Sequence, residues 1–550
     1  MRDTCHLDTF VVDNLPPPDR MPDLINLKEL GYPKHLNATV ELVDRHVLDG
    51  RGDRIAIRAP GLVWTYAQLS HVIDRMANML VDMLGMRPGN RVLLRSANNP
   101  TKVALYLAII KAGGIVVATM PLLRAKELVQ IIEKGEIGLA FCEMSLMDDM
   151  TAAARLTGRL DRVVSWFGTS DGELGGLLAD MPDSFMAPET RAEDPCLLGF
   201  TSGTTGVAKA TIHYHRDLLV ICDCYARHVL RADENDIFIG SPPLAFTFGL
   251  GGLVLFPFRI GASSVLPARS APDDLARAIE EFRASVCFTA PTAYRAILAK
   301  IGDYDLSSLR KCVSAGEVLP LPTYQAWLNA TGIQLMDGIG ATEMLHIFIS
   351  APVEAIRPGS TGLPVPGYEA MVIDDAGNRC PAGTAGRLAV RGPIGCRYLA
   401  DDRQLNYVAN GWNITGDTYR MDEDGYFWYQ ARNDDMIVSA GYNIAAPEVE
   451  ASLLAHPAVA ECAVVGAADE SRGMVVKAYI VLNDAFTGDD SLRKTLQDYV
   501  KMDLAPYKYP RAIEWMDTLP KTESGKLQRF VLRQRANSAP PEGPPSKRTG

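Results

Sequence analysis

The segment Phe200–His215, FTSGTTGVAKATIHYH, decides how the rest of the chain is interpreted. Its glycines, hydroxyl side chains and Lys209 are the residue types that hold a phosphate group. It is not a Walker A loop, because Ala208 and Ala210 stand where that motif, counted from Gly203, requires Gly and Ser or Thr. The apolar run CLLGF before it predicts a buried strand. The segment therefore predicts a different kind of anion site, although SGTTG alone is also typical of a surface turn.

Length and composition limit the classes of protein to consider. The 550 residues exceed the size at which a single core usually stops growing, so we expect two or more domains. Hydrophobic residues make up 47% and charged residues 22%, as in ordinary globular proteins. The net charge of -11 argues against a nucleic-acid partner, since phosphate backbones are bound by clustered Lys and Arg.

The N-terminal residues, the longest apolar stretch and the cysteines indicate where in the cell the protein is expected. The first twenty residues carry early acidic groups and no apolar core of signal-peptide length. The apolar stretch Val103–Leu123 is interrupted by Lys111 and the pair Gly113-Gly114, too broken for a membrane span. Ten scattered cysteines without zinc-type CxxC pairs are typical of a reducing compartment. We therefore expect a cytoplasmic protein without a membrane span.

Strand-length apolar runs alternate with helix-period segments. RVLLRSA, TKVALYLAIIKAGG and IVVATM follow one another, and PDDLARAIEEFRAS, a helix expected to begin after Pro272, precedes the strand-like VCFTA. This alternation predicts βαβ units and an α/β fold rich in parallel sheet.

The C-terminal part has a different pattern. DTYRMDEDGYFWYQA predicts two strands joined by a turn at Asp424-Gly425, and EVEASLLAHPAV and ECAVVGAAD predict a helix and a strand of a compact last unit. We expect domains at 1–432 and 433–535, and a disordered tail rich in Pro, Ser and Gly at 536–550.

Three further segments carry residues suited to a nucleotide. In DGIGATEMLH, Glu343 replaces the last Gly of GxGxxG, and a carboxylate beside pyrophosphate requires a divalent cation, which predicts magnesium and not a dinucleotide. In NITGDTYR, Asp417 could accept the ribose hydroxyls or bond its own turn. In LPKTESGKLQR, Lys521 and Lys526 flank a Ser-Gly turn that alone is typical of a solvated loop.

Some motifs resemble functional sites, but we expect structural roles for them. His213 and His215 are spaced like a metal pair but lack a third ligand nearby, so we expect them to be structural. DDSLRKTL resembles a carrier-protein attachment site, but it lies inside the small C-terminal domain, so Ser491 is expected to cap a helix. Cys222 and Cys224 are expected to be apolar filler on a helix.

In order along the chain, TSGTTGVAK, SAGEVLP, GIGATE, TGDTYR, ARNDDMIVSAGYNIAAPEVE and LPKTESGKLQR resemble the motifs of the adenylate-forming acyl-CoA synthetases. The resemblance extends roughly from LVWTYAQLS to GKLQR. It implies a large N-terminal domain of parallel-rich sheets layered with helices, with a β-barrel-like portion, and a small mobile α+β C-terminal domain. It also implies that ATP activates a carboxylate as acyl-AMP, with Mg²⁺ as cofactor, before transfer to CoA. A monomer or homodimer is expected.

The resemblance assigns roles only to matching positions. The phosphate loop would comprise Thr201, Ser202, Gly203, Thr204, Thr205, Gly206 and Lys209. The adenosine contacts would comprise Gly316, Glu317, Asp337, Gly338, Ile339, Asp417 and Arg432. Thr342 would bond the α phosphate, Glu343 would hold Mg²⁺, and Lys526 would touch both carboxylate and α phosphate. Asp434 would be the hinge, and Gly441 and Tyr442 would line the CoA tunnel.

The acid pocket would comprise Phe246, Thr247, Phe248, Gly249, Gly340 and His346. Rings beside small glycines favour a flat aromatic acid. With EMLHIF, FGLGG and YFWYQARNDDMI, the chain resembles the benzoate-CoA ligase group, most of all its 2-aminobenzoate members, with benzoate or salicylate as the next candidates. Thr247 or His346 would face an ortho substituent, unless His346 is a core histidine.

Departures and alternatives remain. Ile339 stands where many relatives carry Tyr, Phe246 where many carry His, and Ala431 where a Gly usually precedes the hinge arginine. An adenylation enzyme that loads a separate carrier protein shares the same motifs. A catalytically dead, ligand-sensing relative is disfavoured, because the charged groups at Lys209, Glu343, Asp417, Arg432 and Lys526 are all intact.

Overall fold

The computed structural model describes residues 4–166, 172–202, 208–432, 436–439, 442–469, 473–504, 506–521 and 527–538. The chain forms two compact units. The first comprises Met1–Leu319, Ala326–Met371 and Ala389–Thr415, and the second comprises Pro320–Gln325, Val372–Leu388 and Gly416–Gly550. The expected boundary after residue 432 stays a prediction. Within the described ranges, none of the helices combines the length and apolar character that a bilayer crossing requires.

Two large sheets lie in the first unit. Their strands are β1 (Ile55–Ala59), β2 (Leu62–Thr65), β3 (Arg91–Arg95), β4 (Ile115–Thr119), β5 (Leu139–Glu143), β6 (Arg162–Trp166), β7 (Pro195–Ser202), β8 (Ala208–Tyr214), β9 (Ile237–Gly240), β10 (Ser263–Val265), β11 (Val286–Thr289), β12 (Lys311–Ala315), β13 (Leu335–Gly340), β14 (Ile347–Ser350) and β15 (Leu363–Pro364). One sheet has the order β6-β5-β3-β4-β7-β8, and the other has the order β15-β14-β13-β12-β11-β9-β10-β1-β2.

Both sheets are parallel in their interiors, and antiparallel strands occur only at their edges. In the six-stranded sheet only β7 and β8 pair antiparallel. In the nine-stranded sheet β2, β14 and β15 are the antiparallel additions. The expected parallel-rich α/β architecture is confirmed.

Helices pack with the sheets in each unit. They are α1 (Phe10–Asp13), α2 (Arg45–Leu48), α3 (Tyr66–Asn78), α4 (Pro100–Lys111), α5 (Ala125–Gly135), α6 (Met147–Thr157), α7 (Glu173–Leu178), α8 (His215–Ile221), α9 (Thr247–Leu250), α10 (Phe256–Ile260), α11 (Pro272–Phe282), α12 (Pro291–Leu298), α13 (Leu321–Thr331), α14 (Gln404–Tyr407), α15 (Ala446–Leu454), α16 (Asp490–Asp503) and α17 (Arg529–Ser538). The predicted succession of strand, helix and strand is confirmed as β3, α4 and β4. Helix α11 begins at Pro272 itself, one residue earlier than predicted, because proline suits the first helical position.

Helix α4 explains how an apolar segment can carry two lysines into the core. All of its residues are buried, as expected for a helix that is apolar on every side. Lys111 is paired with Asp44 and Asp74. Lys102 donates to the main-chain oxygen of Ser96 at 2.8 Å, and burial lowers the pKa of its ammonium to about 7. Each buried cation is therefore hydrogen-bonded, which removes most of the desolvation penalty.

Further strands follow in the described part of the chain. They are β16 (Glu369–Ile373), β17 (Ala385–Arg391), β18 (Val408–Ala409), β19 (Trp412–Met421), β20 (Phe427–Arg432), β21 (Met436–Ser439), β22 (Tyr442–Ala445), β23 (Val459–Asp469), β24 (Gly473–Leu482) and β25 (Ala512–Trp515). One sheet has the order β16-β17-β19-β18, with β20 on β19, where a barrel-like portion was expected. The last sheet has the order β22-β21-β24-β23, with β25 on β24.

The predicted C-terminal elements are found in this part of the chain. Strands β19 and β20 form the expected hairpin, and Asp422 accepts hydrogen bonds from the main chain of Asp424 and Tyr426 at its turn. Gly425 adopts φ 86°, which a turn glycine reaches without strain. Helix α15 and strand β23 match the predicted helix and strand. Their apolar side chains, among them Val449, Leu453 and Val464, form the core of the second unit.

Two expectations near the C-terminus are corrected. Ser491 is not the cap of α16: Asp489 precedes the helix in extended conformation and accepts from the Leu492 N–H at 2.7 Å. A carboxylate two residues before Ser491 thus takes the capping position, and Ser491 lies in the first turn. Helix α17 continues to Ser538, so residues 536–538 of the expected tail are helical, and 539–550 lie outside the described residues.

Because Asp489 and not Ser491 caps α16, substitutions at the two positions should differ in their effect on helix stability. Asp489→Ala should destabilise α16 by about 1 kcal/mol, because it removes the capping acceptor. Amide hydrogen exchange in α16 should then be about fivefold faster. Ser491→Ala is the matched control and should leave exchange nearly unchanged. A larger effect of Ser491→Ala would restore Ser491 as the cap.

Candidate active site

The topology of the nine-stranded sheet brings three predicted segments to one edge. Strands β9, β11, β12 and β13 run parallel to one another, so their carboxyl ends lie at the same side of the sheet. The chain that leaves β9 carries the expected acid-pocket residues, the chain after β12 carries Gly316, and the chain after β13 carries Thr342 and Glu343. In open α/β sheets this edge is where ligands bind.

Strand pairing fixes the base of the predicted phosphate loop. The register of β7 and β8 sets Thr201 opposite Lys209 and Ser202 opposite Ala208. Gly203, Thr204, Thr205 and Gly206 lie outside the described residues, and Ser202 is described only in its backbone. The hydroxyl of Thr201 is buried and has no hydrogen-bond partner among the described residues. Lys209 is therefore held by a β ladder and does not depend on the loop for its position.

Lys209, Glu343 and Tyr398 form one contact group. The Lys209 ammonium lies 3.2 Å from Glu343 Oε1 and donates to the Tyr398 hydroxyl at 2.7 Å. The same hydroxyl donates to Glu343 Oε1. Burial and the neighbouring Glu343 carboxylate raise the pKa of Tyr398, so it remains a donor. Glu343 is 7% exposed, and the group thus gathers residues from distant parts of the chain around one carboxylate.

Tyr398 was not predicted from the sequence. Main-chain bonds from Ile212 N to Arg397 O (2.8 Å) and from Leu399 N to Ala210 O (2.9 Å) lay its segment along β8. This pairing carries the Tyr398 ring to 4.7 Å from the Lys209 nitrogen. The surrounding sequence GCRYLAD contains no feature that predicts the contact of Tyr398 with Lys209, because the pairing joins segments far apart in the chain.

The two bonds to Glu343 both end on Oε1. Among the described residues, neither of these donors reaches its second oxygen, Oε2, which can take another partner. A carboxylate oxygen is the kind of ligand that Mg²⁺ takes, together with substrate phosphates and water. The residues therefore fit the magnesium role predicted for Glu343.

Thr342 is held from two sides. Its main-chain oxygen lies 2.8 Å from His213 Nε2, and burial lowers the pKa of His213 to about 4, so the neutral ring donates through Nε2. A Cβ atom added to Gly199 would lie 2.7 Å from Thr342 Cγ2. The turn after β13 thus packs tightly against β7. The following Leu345 adopts φ 65°, a strained value for a leucine and one that recurs at functional sites.

The histidine pair agrees with the structural roles expected for it. His213 supports Thr342, and His215 accepts the Ala38 N–H on Nδ1 at 3.1 Å. Both side chains are fully buried. Cys222 and Cys224 are also buried, on the π-helical continuation of α8.

The glycines of DGIG serve the packing of a hairpin. A Cβ on Gly338 would lie 2.9 Å from the Ile347 side chain, and one on Gly340 would lie 2.7 Å from the His346 main-chain oxygen. They allow β14 to return closely along β13. Burial raises the pKa of Asp337 to about 8, so its carboxyl is mostly neutral at pH 7. Ile339, predicted to pack on adenine, is half-buried.

Gly316 and Glu317 follow β12 at the same edge. Gly316 is exposed and adopts φ 87°, in the region that favours glycine. Glu317 accepts from the Thr292 N–H and hydroxyl, each at 3.4 Å. The segment is thereby linked to the start of α12.

Two of the expected acid-pocket residues, His346 and Gly249, lie in closely packed surroundings. His346 lies in a ring cluster, with its centroid 4.6 Å from Phe256, 5.7 Å from Phe248 and 5.5 Å from Tyr225. Burial lowers the pKa of His346 to about 3, so the imidazole is neutral. A Cβ on Gly249 would meet the Pro243 main-chain oxygen at 2.3 Å, so this glycine is required by packing.

Phe246 and Thr247 stand at the start of α9. Phe246 precedes the helix and is 37% exposed, and Thr247 is its first residue. The loop before them is fixed by Asn98, whose amide donates to Pro242 O at 3.0 Å and accepts from Leu244 N at 2.8 Å.

The second unit holds the remaining predicted residues. Asp417 lies opposite Arg432 in the register of β19 and β20, as a cooperating pair would require. Asp434, Gly441 and Lys526 lie outside the described residues, and Tyr442 is described only in its backbone. On either side of 522–526, Lys521 pairs with Leu527. Arg529 binds Glu450 through both carboxylate oxygens, at 2.8 and 2.6 Å.

Comparison with known proteins gives consistent matches over both units. Residues 44–398 match the AMP-binding enzyme family, and residues 448–526 match the AMP-binding enzyme C-terminal domain. The benzoate–CoA ligase of Thauera aromatica is 35% identical, with 92% of this chain and 97% of that protein covered.

Solved structures agree. The anthranilate CoA ligase AuaEII in complex with anthranoyl-AMP superposes with a TM-score of 0.88 at 35% identity, covering 92% of this chain and 98% of that one. A benzoate CoA ligase from Burkholderia xenovorans LB400 superposes with a TM-score of 0.83 at 31% identity, covering 90% and 100%.

The contact between β7 and Thr342 predicts a position-specific effect. Gly199→Ala should lower the free energy of unfolding by about 1–3 kcal/mol, because the added methyl group overpacks the contact. Gly176→Ala is the control, since a Cβ there meets nothing within 4 Å. Denaturant unfolding of the full chain measures both. Equal stability of the two variants would contradict the packing described here.

Proposed function

The chain belongs to the family of AMP-binding enzymes, and from this premise we propose that it joins an aromatic carboxylate to coenzyme A through an acyl-AMP intermediate. We favour 2-aminobenzoate as the acid, followed by benzoate or salicylate. The observation that carries the proposal is the meeting of Lys209, Tyr398 and Glu343 beside the carboxyl edge of the nine-stranded sheet. The enzyme class is that of an AMP-forming acid–thiol ligase.

The proposed reaction proceeds in two steps. A carboxylate oxygen of the acid attacks the α phosphorus of ATP, the bond to pyrophosphate breaks, and acyl-AMP forms. The CoA thiolate then attacks the acyl carbon, a thioester forms, and AMP leaves. The first step brings anion to anion, so positive charge must be in place before the transition state develops.

The residues divide this work between them. Lys209, fixed by strand pairing, would face the outer phosphates, and the Thr342 hydroxyl would bond the α phosphate. Lys526 would reach the carboxylate and the α phosphate together. Magnesium, held through Glu343, would neutralise phosphate charge when bound. Tyr398, which bonds Lys209 and Glu343 at once, would keep their spacing as nucleotide contacts form.

The nucleoside would be held by the remaining residues. Asp417 and Arg432 lie opposite each other on neighbouring strands and would bind the ribose. Gly316, Glu317 and Ile339 would line the adenine beside the carboxyl ends of β12 and β13. Asp337 would add little negative charge there, since burial raises its pKa to about 8.

The choice of an aromatic acid rests on the ring cluster and on the relatives. Phe248, Phe256 and His346 supply flat apolar surface after β9 and β13. The His346 ring nitrogens have no hydrogen-bond partner among the described residues, and a neutral imidazole could accept from an ortho amino group. Relatives at 35% identity are named for benzoate and anthranilate.

The two half-reactions would use different loops. Following the family resemblance, we propose that Lys526 serves adenylation, and that Gly441 and Tyr442 line the CoA tunnel in the second step. Asp434 would be the hinge between the two arrangements. Because Lys526 acts only in the first step, the two steps should respond differently to its loss.

The acid is identified by a substrate panel. Benzoate, 2-aminobenzoate, salicylate, phenylacetate and hexanoate are each incubated with ATP, Mg²⁺ and CoA, and the thioester is followed by mass. We expect kcat/KM to be highest for 2-aminobenzoate, since its ring fills the cluster and its amine meets a polar group. A preference for hexanoate would overturn the assignment. Acyl-AMP formation without any CoA thioester would instead indicate a separate carrier protein.

Substitution of Lys526 tests whether this lysine acts only in the adenylation step. Lys526→Ala should lower adenylation about 10²- to 10³-fold, the loss typical of one preorganised charge-stabilising group. Thioester formation from supplied acyl-AMP should largely survive. Lys494→Ala, on the exposed face of α16, is the control and should change neither step. An equal fall in both half-reactions of Lys526→Ala would rule out separate loops.

A further inference from the structure

A second group of chemically active side chains lies away from the site described above. Cys5, His6 and Asp194 each present one ligand atom, and these atoms lie within 4.8 Å of one another. Cys5 is half-buried, whereas His6 is 5% exposed and Asp194 is 1% exposed. The group joins the N-terminal segment to the residue that directly precedes β7. No step of the proposed reaction uses it.

The hydrogen bonds of His6 point to a missing partner. Both ring nitrogens are buried, and neither has a hydrogen-bond partner among the described residues. A neutral imidazole has one ring nitrogen with a free lone pair, which can bind a metal ion. Buried polar groups in native proteins are bonded in the great majority of cases, and an exception calls for an unseen ligand or ion.

Asp194 is oriented toward this group by hydrogen bonds. Its carboxylate accepts from the Thr4 hydroxyl, from the Cys5 N–H at 3.3 Å and from the Arg191 N–H at 2.8 Å. A carboxylate has about four acceptor sites, and these three bonds orient the group. The fourth faces the Cys5 thiol, whose proton a metal ion would replace. Such orienting bonds accompany metal-binding carboxylates.

His215 is close enough to influence this group but is not a ligand of it. Its Nδ1 accepts the Ala38 N–H, so the neutral ring carries its proton on Nε2 and offers no second lone pair. In the part of the chain that the structure describes, the nearby donors are therefore one thiol, one imidazole and one carboxylate. Water could supply a further ligand from the half-buried Cys5 side.

We propose that Cys5, His6 and Asp194 bind a divalent transition-metal ion of the zinc class. Sulfur, nitrogen and oxygen ligands in a set of three with one water are typical of Zn²⁺, whereas Mg²⁺ and Ca²⁺ avoid thiolates. On binding, the Cys5 thiol releases its proton to solvent and its sulfur bonds the metal, with no change of oxidation state. The bound ion ties the segment Thr4–His6 to the start of β7, the strand that leads to residues 203–207.

Cobalt serves as the optical probe for this site. The purified full chain is freed of metal with a chelator and titrated with Co²⁺. We expect a near-ultraviolet thiolate-to-cobalt charge-transfer band that saturates at one equivalent and disappears when Zn²⁺ is added. Zn²⁺ should also raise the thermal unfolding temperature of the chelator-treated protein.

Matched variants separate this site from chance thiol binding. Cys5→Ser should abolish the band, whereas Cys462→Ser, at another half-buried cysteine, should leave it unchanged. His6→Gln keeps the thiol and should weaken Co²⁺ binding at least about tenfold, as for lost metal partners in general. The proposal is overturned if wild type shows no band, or if Cys5→Ser or His6→Gln binds Co²⁺ as wild type does.

Discussion

The contact between Lys209 and Glu343 is the interaction on which the arrangement of the site depends. Lys209 stands on a strand of the six-stranded sheet, and Glu343 follows a strand of the nine-stranded sheet. The close approach of Gly199 to Thr342 and the bond from His213 to the Thr342 oxygen join the same two elements. Two opposite charges can stay partly buried here because each satisfies the other and both bond Tyr398. The site is thus built where the sheets meet.

Local pattern predicted much of the fold. Hydrophobic periodicity located β3, α4 and β4, and Asp424-Gly425 marked the hairpin of β19 and β20, because these features depend on neighbouring residues. The errors were also local: Asp489 and Ser491 are both good caps, and only the backbone conformation selects between them. Motifs identified Lys209 and Glu343 separately. Their contact, and Tyr398 between them, could not be predicted, because residues 397–399 reach β8 only in the folded chain.

Burial gives the two sides of the site different chemical characters. Around Lys209 and Glu343, charged groups face one another at hydrogen-bond distance. Around His346, rings exclude water and keep the imidazole neutral, and the missing side chain of Gly251 lets that ring pack against the π-helical turn Gly251–Leu255. A reaction between a triphosphate and an aromatic carboxylate needs both environments side by side. The segment from Gly340 to His346 connects them, since only five residues lie between the hairpin glycine and the histidine of the ring cluster.

The central claim is that Lys209 and Glu343 act on one bound triphosphate, and a double-mutant cycle tests it directly. Acid-dependent exchange of pyrophosphate into ATP is measured for wild type, Lys209→Met, Glu343→Gln and the double variant. Each single change should lower exchange at least about 100-fold. The double variant should lose far less than the product of the two, because residues that act as a unit are not additive. Losses that multiply would show two independent sites and contradict the account.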